Sequence, residues 1–599
     1  MRSRDAHPSM AEHPLPTPAR LGLRFWLAVA AAALALCWGW RVFWFLTDDA
    51  FIHFRYVSNS LLGRGYVWNP PPFRPVEGYS SFLWVALLDG VWRASGVAPT
   101  GAANVLLLLF SLASLVVAAR AVARMPLPER LERHRLALVA LVLLGLVTNR
   151  TFVTWTSSGL ETAMVNFWIL IWVLAALRFS REALADSGEP GQPAHPARAG
   201  ALVSCCAALI YLTRPEGLLF ASATAAMIAC VWIARAGVRG RTTAALGSCL
   251  PLLAVPAHLV WRHATYGEWL PNTYWAKHVG AWPLSGAHYL LSYTLEHALW
   301  FWMLACAVLG ARPLARHLSD LVGGLRGAHT VRRWVERGLV RDAAVLTVLA
   351  NAGYYTFVIG GDTFEYRIYS HLVPLFLLAL VWLLAATEVA PARALATLGA
   401  FVVLGCPIAW THWRLALDVP HEQAAGEDVS VPIAGSLPPG LRWYGALFDR
   451  SQDWLVRHLV CGRHHSHVHF TQELLATHPT REYGLSMPWE GLPVYVIDAV
   501  GVPGWTLPNV AILDRHGLND HVVARVPLPA NHVRQMAHDR SAPRDYVAEF
   551  RPNVRLLPEP PFVRVRERKQ RPLSDEDVRD IERRWWELAR EWTDSAGEH

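Results

Sequence analysis

Residues 25–50 read FWLAVAAAALALCWGWRVFWFLTDDA, an apolar run from Phe25 to Phe45 that ends on Thr47-Asp48-Asp49. A hydrocarbon core about 30 Å thick needs about 20 apolar residues in one helix, so this run is long enough to cross it. Arg20 and Arg24 precede the run, which is too long for a signal-peptide core and lacks an obvious cleavage signal. An uncleaved first spanning helix is therefore predicted. Two adjacent carboxylates at a membrane boundary are costly unless hydrated, paired or used.

The rest of the chain repeats this pattern. Of 599 residues 53% are hydrophobic and 17% charged, against roughly 25% charged in soluble domains. The composition predicts a polytopic α-helical membrane protein. A formal charge of +8 would suggest nucleic acid in a soluble chain. Here the arginines sit in loops between apolar runs, where they set orientation, and no nucleic-acid partner is expected. Lys277 and Lys569 are the only lysines, and seven of eight cysteines lie in apolar runs, without a CxxC pattern or disulfide framework.

Eleven spans are placed near 24–46, 100–121, 136–156, 160–178, 199–213, 216–235, 245–264, 286–311, 342–360, 370–387 and 391–413. Ser80–Trp92 contains Asp89 and is taken as an interfacial helix, which keeps the loop with Arg120, Arg124, Arg130, Arg133 and Arg135 cytoplasmic. The reading gives a cytoplasmic segment 1–23, a membrane domain 24–413 with a first outer loop 47–99, and a C-terminal domain 414–599 outside. In that domain Val494–Asp498 and Val510–Asp514 read as buried strands, with a turn at Gly501-Val502-Pro503-Gly504. Ser574 begins a charged helix to Trp592 with acids in its first turn. A small α/β domain is expected. His465, His467 and His469 alternate as on one strand face, a polar face rather than a closed metal site. There is no P-loop, no GxGxxG before a helix and no G-x-S-x-G.

Six polar signatures then fall on one face of the bilayer. Asp48 or Asp49 can deprotonate an acceptor hydroxyl, or hold a metal or a sugar hydroxyl, and Arg55 follows them. Glu77, in Val76-Glu77-Gly78-Tyr79, can bind sugar hydroxyls or cap the next helix, and Glu161 opens the fourth span, where the helix N-terminus favours an acid. Arg214 stands against the positive-inside trend in Arg214-Pro215-Glu216-Gly217; its fork suits a phosphate or a pairing with Glu216. The segment Gly267–Lys277 carries Trp269, Asn272, Trp275 and Lys277: tryptophan faces stack on sugar rings, and a lysine at headgroup level suits a lipid phosphate, although an aromatic belt has the same composition. Asp362, Glu365, Arg367 and His371 follow Gly360-Gly361, two glycines that permit a sharp turn.

At these residues the chain resembles the GT-C glycosyltransferases, polytopic enzymes that take one sugar from a polyprenyl-phosphate carrier, and in particular the terminal arabinofuranosyltransferase (AftB-like) group. The matching segments are Thr47–Phe51 with Arg55, Val76–Ser80, Gly159–Thr162, Thr213–Gly217, Gly360–Asp362, and Asp514–Asp520 with Ala524-Arg525. Thr363-Phe364-Glu365-Tyr366 departs from that group. The resemblance implies an acid of the first outer loop as base or acceptor-positioning group, here Asp48 or Asp49. It also implies a carrier phosphate held by basic residues, for which Lys277, Arg214 and Arg367 are the candidates. Arg55, Glu77, Tyr79, Glu161, Glu216, Trp269, Asn272, Trp275, Asp362 and Glu365 are expected around sugar or acceptor.

The expected function is transfer of D-arabinofuranose from a polyprenyl-phosphate donor to a periplasmic or cell-surface glycan or protein, at the periplasmic face of a bacterial inner membrane. No cofactor is required by this reading, and a divalent cation is left open. The alternatives are another lipid-linked sugar such as a hexose, a pilin-type acceptor, or a lipid-linked sugar flippase. The last would carry charges midway along its helices, where Arg150 is the one partial instance.

Overall fold

The computed structural model describes residues 21–184, 195–235, 241–325, 331–420, 429–529, 531–560, 562–568 and 571–596. Most of the N-terminal segment, the loop around Arg239 and Lys569 lie outside them. Among the described residues nine helices are long and apolar enough to cross a membrane. They are α1 (Leu23–Val42), α2 (Pro99–Arg124), α3 (Thr162–Glu182), α4 (Pro196–Thr213), α5 (Gly217–Ala234), α6 (Arg241–Tyr266), α7 (Leu339–Ile359), α8 (Arg367–Ala386) and α9 (Pro391–Ala416). The protein is a multi-pass helical membrane protein.

The two remaining expected spans take other forms. The pair Pro283–Glu296 and Leu299–Ala311 is bent by 84°. The run 136–156 is a 14-residue helix, Arg135–Thr148, cut at Asn149. Asn149 is extended, and its side chain accepts a hydrogen bond from the Phe152 N–H, starting a new turn over Arg150–Thr154. Arg150 thus leaves the spanning axis and is buried at this break.

Short polar links gather the helix ends. The Ser158-Gly159 turn forms an isolated bridge with Leu46, in which the Thr47 N–H donates to the Ser158 carbonyl at 3.0 Å. Asn104 of α2 completes it, receiving the Gly159 N–H and donating to the Phe45 carbonyl. After α1 the chain enters the Asp48–Leu61 helix, buried from Ala50 to Asn59. The expected interfacial helix is Phe82–Ser95, whose Asp89 accepts hydrogen bonds from Ser60, Tyr66 and Arg93.

In the C-terminal part the two predicted strands form β1 (Val494–Ile497) and β2 (Ala511–Asp514), paired in parallel with Val494 opposite Ala511. A hairpin of β3 (Val554–Leu556) and β4 (Val563–Val565) follows. The Asp575–Ala596 helix is closed by a reciprocal cap, the Asp577 N–H donating to Ser574 Oγ and the Ser574 N–H to the Asp577 carboxylate. Two local expectations are corrected. Residues His464–Thr477 form a helix rather than a strand, with Val468, Thr471 and Leu474 turned inward at steps of three. The predicted turn at Gly501 is the start of a short helix, Gly501–Thr506. A Cβ on Gly501 would lie 1.8 Å from the Asp48 carbonyl oxygen, so only glycine admits this contact with the first loop.

Candidate active site

A cavity of about 740 Å³ lies where these helix ends converge, within the usual range for ligand sites. All six signatures contribute walls: Asp49, Tyr79, Glu161, Arg214 with Glu216, Lys277, and Asp362 with Arg367. Leu518, Met536 and Ala537 of the C-terminal part complete it.

At the polar end each acid but one is matched to an arginine. Arg214 donates from Nε to Glu216 at 2.5 Å, from one terminal nitrogen to Glu161 at 3.1 Å and from the other to the Tyr355 hydroxyl at 3.0 Å. Arg367 makes a two-point pair with Asp362 at 2.7 and 3.2 Å. Gly360 and Gly361, at φ +92° and +115°, make the predicted turn that brings Asp362 and Arg367 back to the cavity. Burial opposes the charge on Glu161, but Arg214, Arg367 and His53 outweigh it and hold its carboxyl below the ordinary range. Asp49 lines the cavity with no hydrogen bond or ion pair to its carboxylate among the described residues. Lys277 likewise makes no ion pair among them.

The opposite wall is apolar. Leu218 and Leu219 of α5 face Ala350 and Tyr354 of α7. Leu218, Leu219 and Tyr354 are each more than a third exposed, so this part of the cavity lining is not sealed.

Seven expected site residues point elsewhere, each held by a partner the sequence does not reveal. Asp48 accepts the Gly501 and Val502 N–H groups at 3.0 and 2.7 Å. Arg55 is fully buried, donating to Asn69 and to the carbonyls of Trp68, Gly504, Leu507 and Val510. Glu77 forms a buried two-point pair with Arg262 behind the wall. Asn272 donates to the Gly517, Leu518 and Asp520 carbonyls. Trp269 is 54% exposed and stacks on His263, and Trp275 stacks under Arg525. Glu365 lies on the rear of its loop, paired with Arg150 and Arg463. Asp48→Ala is expected to cost about 1–2 kcal/mol by removing a cap, read as a lower melting temperature in detergent with catalytic rate retained.

The sequence reading missed His53, Tyr355 and Asn351, all on the cavity wall. His53 had a signal, because it lies four residues after Asp49 on one helix and hence on the same face. Tyr355 and Asn351 had none, being polar residues inside an apolar span. Among the described residues no three His, Cys, Asp or Glu side chains come together as a metal-holding group.

Fold and cavity define a polytopic membrane protein with a charged chamber at one end of its helices. In sequence the chain is similar to the terminal β-(1→2)-arabinofuranosyltransferases. It is 29% identical to that of Mycobacterium tuberculosis over 367 residues, 59% of this chain and 54% of the relative. Identity to the Corynebacterium glutamicum protein is 27% over 369 residues, 59% of this chain and 50% of the relative. The resemblance drawn from the motifs is borne out, and the chain spans about half the length of these curated relatives. No family model matches it. Among solved structures, ArnT from Cupriavidus metallidurans bound to undecaprenyl phosphate aligns with a TM-score of 0.42 and 12% identity, covering 82% of this chain and 86% of that one.

Proposed function

We propose that the protein is a membrane glycosyltransferase that moves a pentose, D-arabinofuranose, from a polyprenyl-phosphate carrier to a hydroxyl of a cell-envelope acceptor. The observation that carries this reading is the unpartnered Asp49 carboxylate facing a chamber with arginines at its polar end and apolar side chains of α5 and α7 in its lining. The apolar lining suits a polyprenyl chain, and the polar end a sugar phosphate. The names of the curated relatives supply the sugar.

Arg214 and Arg367 keep donors in reserve for the phosphate. A guanidinium has five N–H groups; Arg367 spends two of them on Asp362, leaving three, and Arg214 spends three, leaving two. The paired carboxylates and Tyr355 hold both forks in place, so charge stabilisation at the leaving phosphate needs little rearrangement. Lys277 adds a point charge at the cavity rim. Asp49 takes the acceptor proton while the anomeric carbon acquires oxocarbenium character. The orientation that fits places this chamber and the C-terminal part at the periplasmic face of a bacterial inner membrane.

The test is to incubate the purified chain with polyprenyl-phosphate arabinose and a synthetic oligosaccharide bearing free 2-hydroxyls. Released polyprenyl phosphate together with a product one pentose longer is the expected result. Turnover of a polyprenyl-phosphate hexose alone would replace the sugar assignment, and vesicle translocation without transfer would replace the reaction. Arg214→Gln is expected to raise the donor KM about tenfold or more, since it removes charge-assisted bonds. Steady-state kinetics over a donor series checks it.

A further inference from the structure

Transfer to a hydroxyl releases one proton, and the cavity has to put it somewhere. The acceptor O–H bond breaks as the new O–C1 bond forms, and the C1–O bond to phosphate breaks. The carrier changes from a phosphodiester to a phosphomonoester and gains one negative charge. Asp49 can remove the proton, and a second group on the same helix face stands within reach to hold it.

His53 is 7% exposed, on the cavity wall one helical turn beyond Asp49. Residues four apart on a helix have Cβ atoms about 5–6 Å apart on one face. Its Nε2 is committed to Ser81 Oγ at 2.7 Å. Its Nδ1 is buried and makes no hydrogen bond of normal geometry, although the Asp49 backbone lies close enough to favour the charged ring. An imidazole held at one nitrogen by Ser81, with no well-formed hydrogen bond at the other and an unpartnered carboxylate on the same helix face, is placed to exchange a proton.

From this arrangement we propose that His53 is the proton-holding residue of the transfer: Asp49 takes the proton from the acceptor hydroxyl, and the proton comes to rest on His53 as the phosphate leaves. The inference rests on the proposed function and adds a residue to it. The groups facing His53 are Asp49 on its own helix, Glu161 at the start of α3, and Arg367 on the 361–369 loop. Burial lowers its pKa and Arg367 lowers it further, while Glu161 and Asp49 raise it; the net shift is downward, so the ring of the empty cavity is neutral near pH 7 and ready to accept. The charge gained by the departing phosphate then favours the protonated ring. Because the neutral ring is the active form, turnover falls as pH drops through a pKa below 6.5.

The two nitrogens allow the test to separate chemistry from structure. In the full chain, His53→Gln places an amide near the Nε2 position, where it can keep the Ser81 contact, while the Nδ1 site is lost; Ser81→Ala loses the contact alone. With polyprenyl-phosphate arabinose and the same oligosaccharide, His53→Gln is expected to lower kcat about 100-fold with donor KM little changed. The acid limb of the kcat/KM profile below pH 6.5 changes position with it, and Ser81→Ala stays within about threefold of wild type. A His53→Gln chain with wild-type kcat and acid limb overturns the role. So does a Ser81→Ala chain that falls equally, both with lowered melting temperature. Should His53→Gln not fold, His53→Asn takes its place: turnover lost with the melting temperature held supports the role, and wild-type turnover overturns it. A wild type that turns over no polyprenyl-phosphate sugar overturns the proposed function, and this role with it. A wild type that does, beside an equally active His53→Gln, overturns this role alone.

Discussion

Asp49→Asn should lower transfer at least about 1000-fold while leaving the protein folded, as measured by pentose incorporation alongside thermal melting in detergent. The size follows from its place in the cavity. General-base catalysis contributes about 10²–10⁴-fold, and the cavity's other three acids are already tied to arginines: Glu161 and Glu216 to Arg214, Asp362 to Arg367. No second carboxylate stands ready to substitute. Stability should hardly change, because the Asp49 carboxylate has no hydrogen bond or ion pair among the described residues to lose. Donor KM should also hold, since the phosphate is assigned to other groups. An Asp49→Asn chain of full activity and intact fold would remove the base.

Arg463→Met should be the most damaging single change to stability, at about 3–5 kcal/mol. Arg463 meets Glu296 with two terminal nitrogens, at 2.8 and 3.0 Å, and Glu365 through Nε at 3.1 Å. Arg150 pairs with Glu365 at 2.8 Å and Glu296 at 3.6 Å. All four side chains are at most 1% exposed, so two charges of each sign balance inside the protein. Removing Arg463 leaves two buried carboxylates against one guanidinium, whereas replacing a whole buried pair with apolar residues is often neutral. The double variant Arg463→Met with Glu296→Leu should therefore recover much of the loss. Equal melting temperatures for the single variant and wild type would contradict this account. The network also backs the loop that presents Asp362 and Arg367. Glu365 hangs from its rear, and the loop is bridged by backbone to Gly462, so activity should fall with stability.

Much of this arrangement was readable before any coordinates. Apolar runs dictated the spans, and polar residues stranded at their ends marked all six cavity walls, because few other forces keep charge at a bilayer boundary. What could not be read is direction. Asp48 and Asp49 are adjacent, yet one helical step of about 100° turns the first toward the Gly501–Thr506 helix and the second into the chamber. Glu77, Asn272 and Arg55 have residue types suited to sugars, but their partners, Arg262, the 517–520 carbonyls and the 504–510 carbonyls, come from distant segments. The His465-His467-His469 alternation has a period of two, and the inward packing of Val468 and Leu474 overrides it with a helix. The break at Asn149 follows from a side-chain cap, a local choice that hydropathy does not register.

Arg55 imposes an order on biogenesis. Three of the carbonyls that satisfy its guanidinium lie 449 to 455 residues further along the chain, at Gly504, Leu507 and Val510. Until the ribosome has made that stretch, the nascent first loop carries a cation whose final shell does not yet exist. The N-terminal spans can insert early, but the shell of Arg55 beside the chamber closes only once the stretch through Val510 has been synthesised.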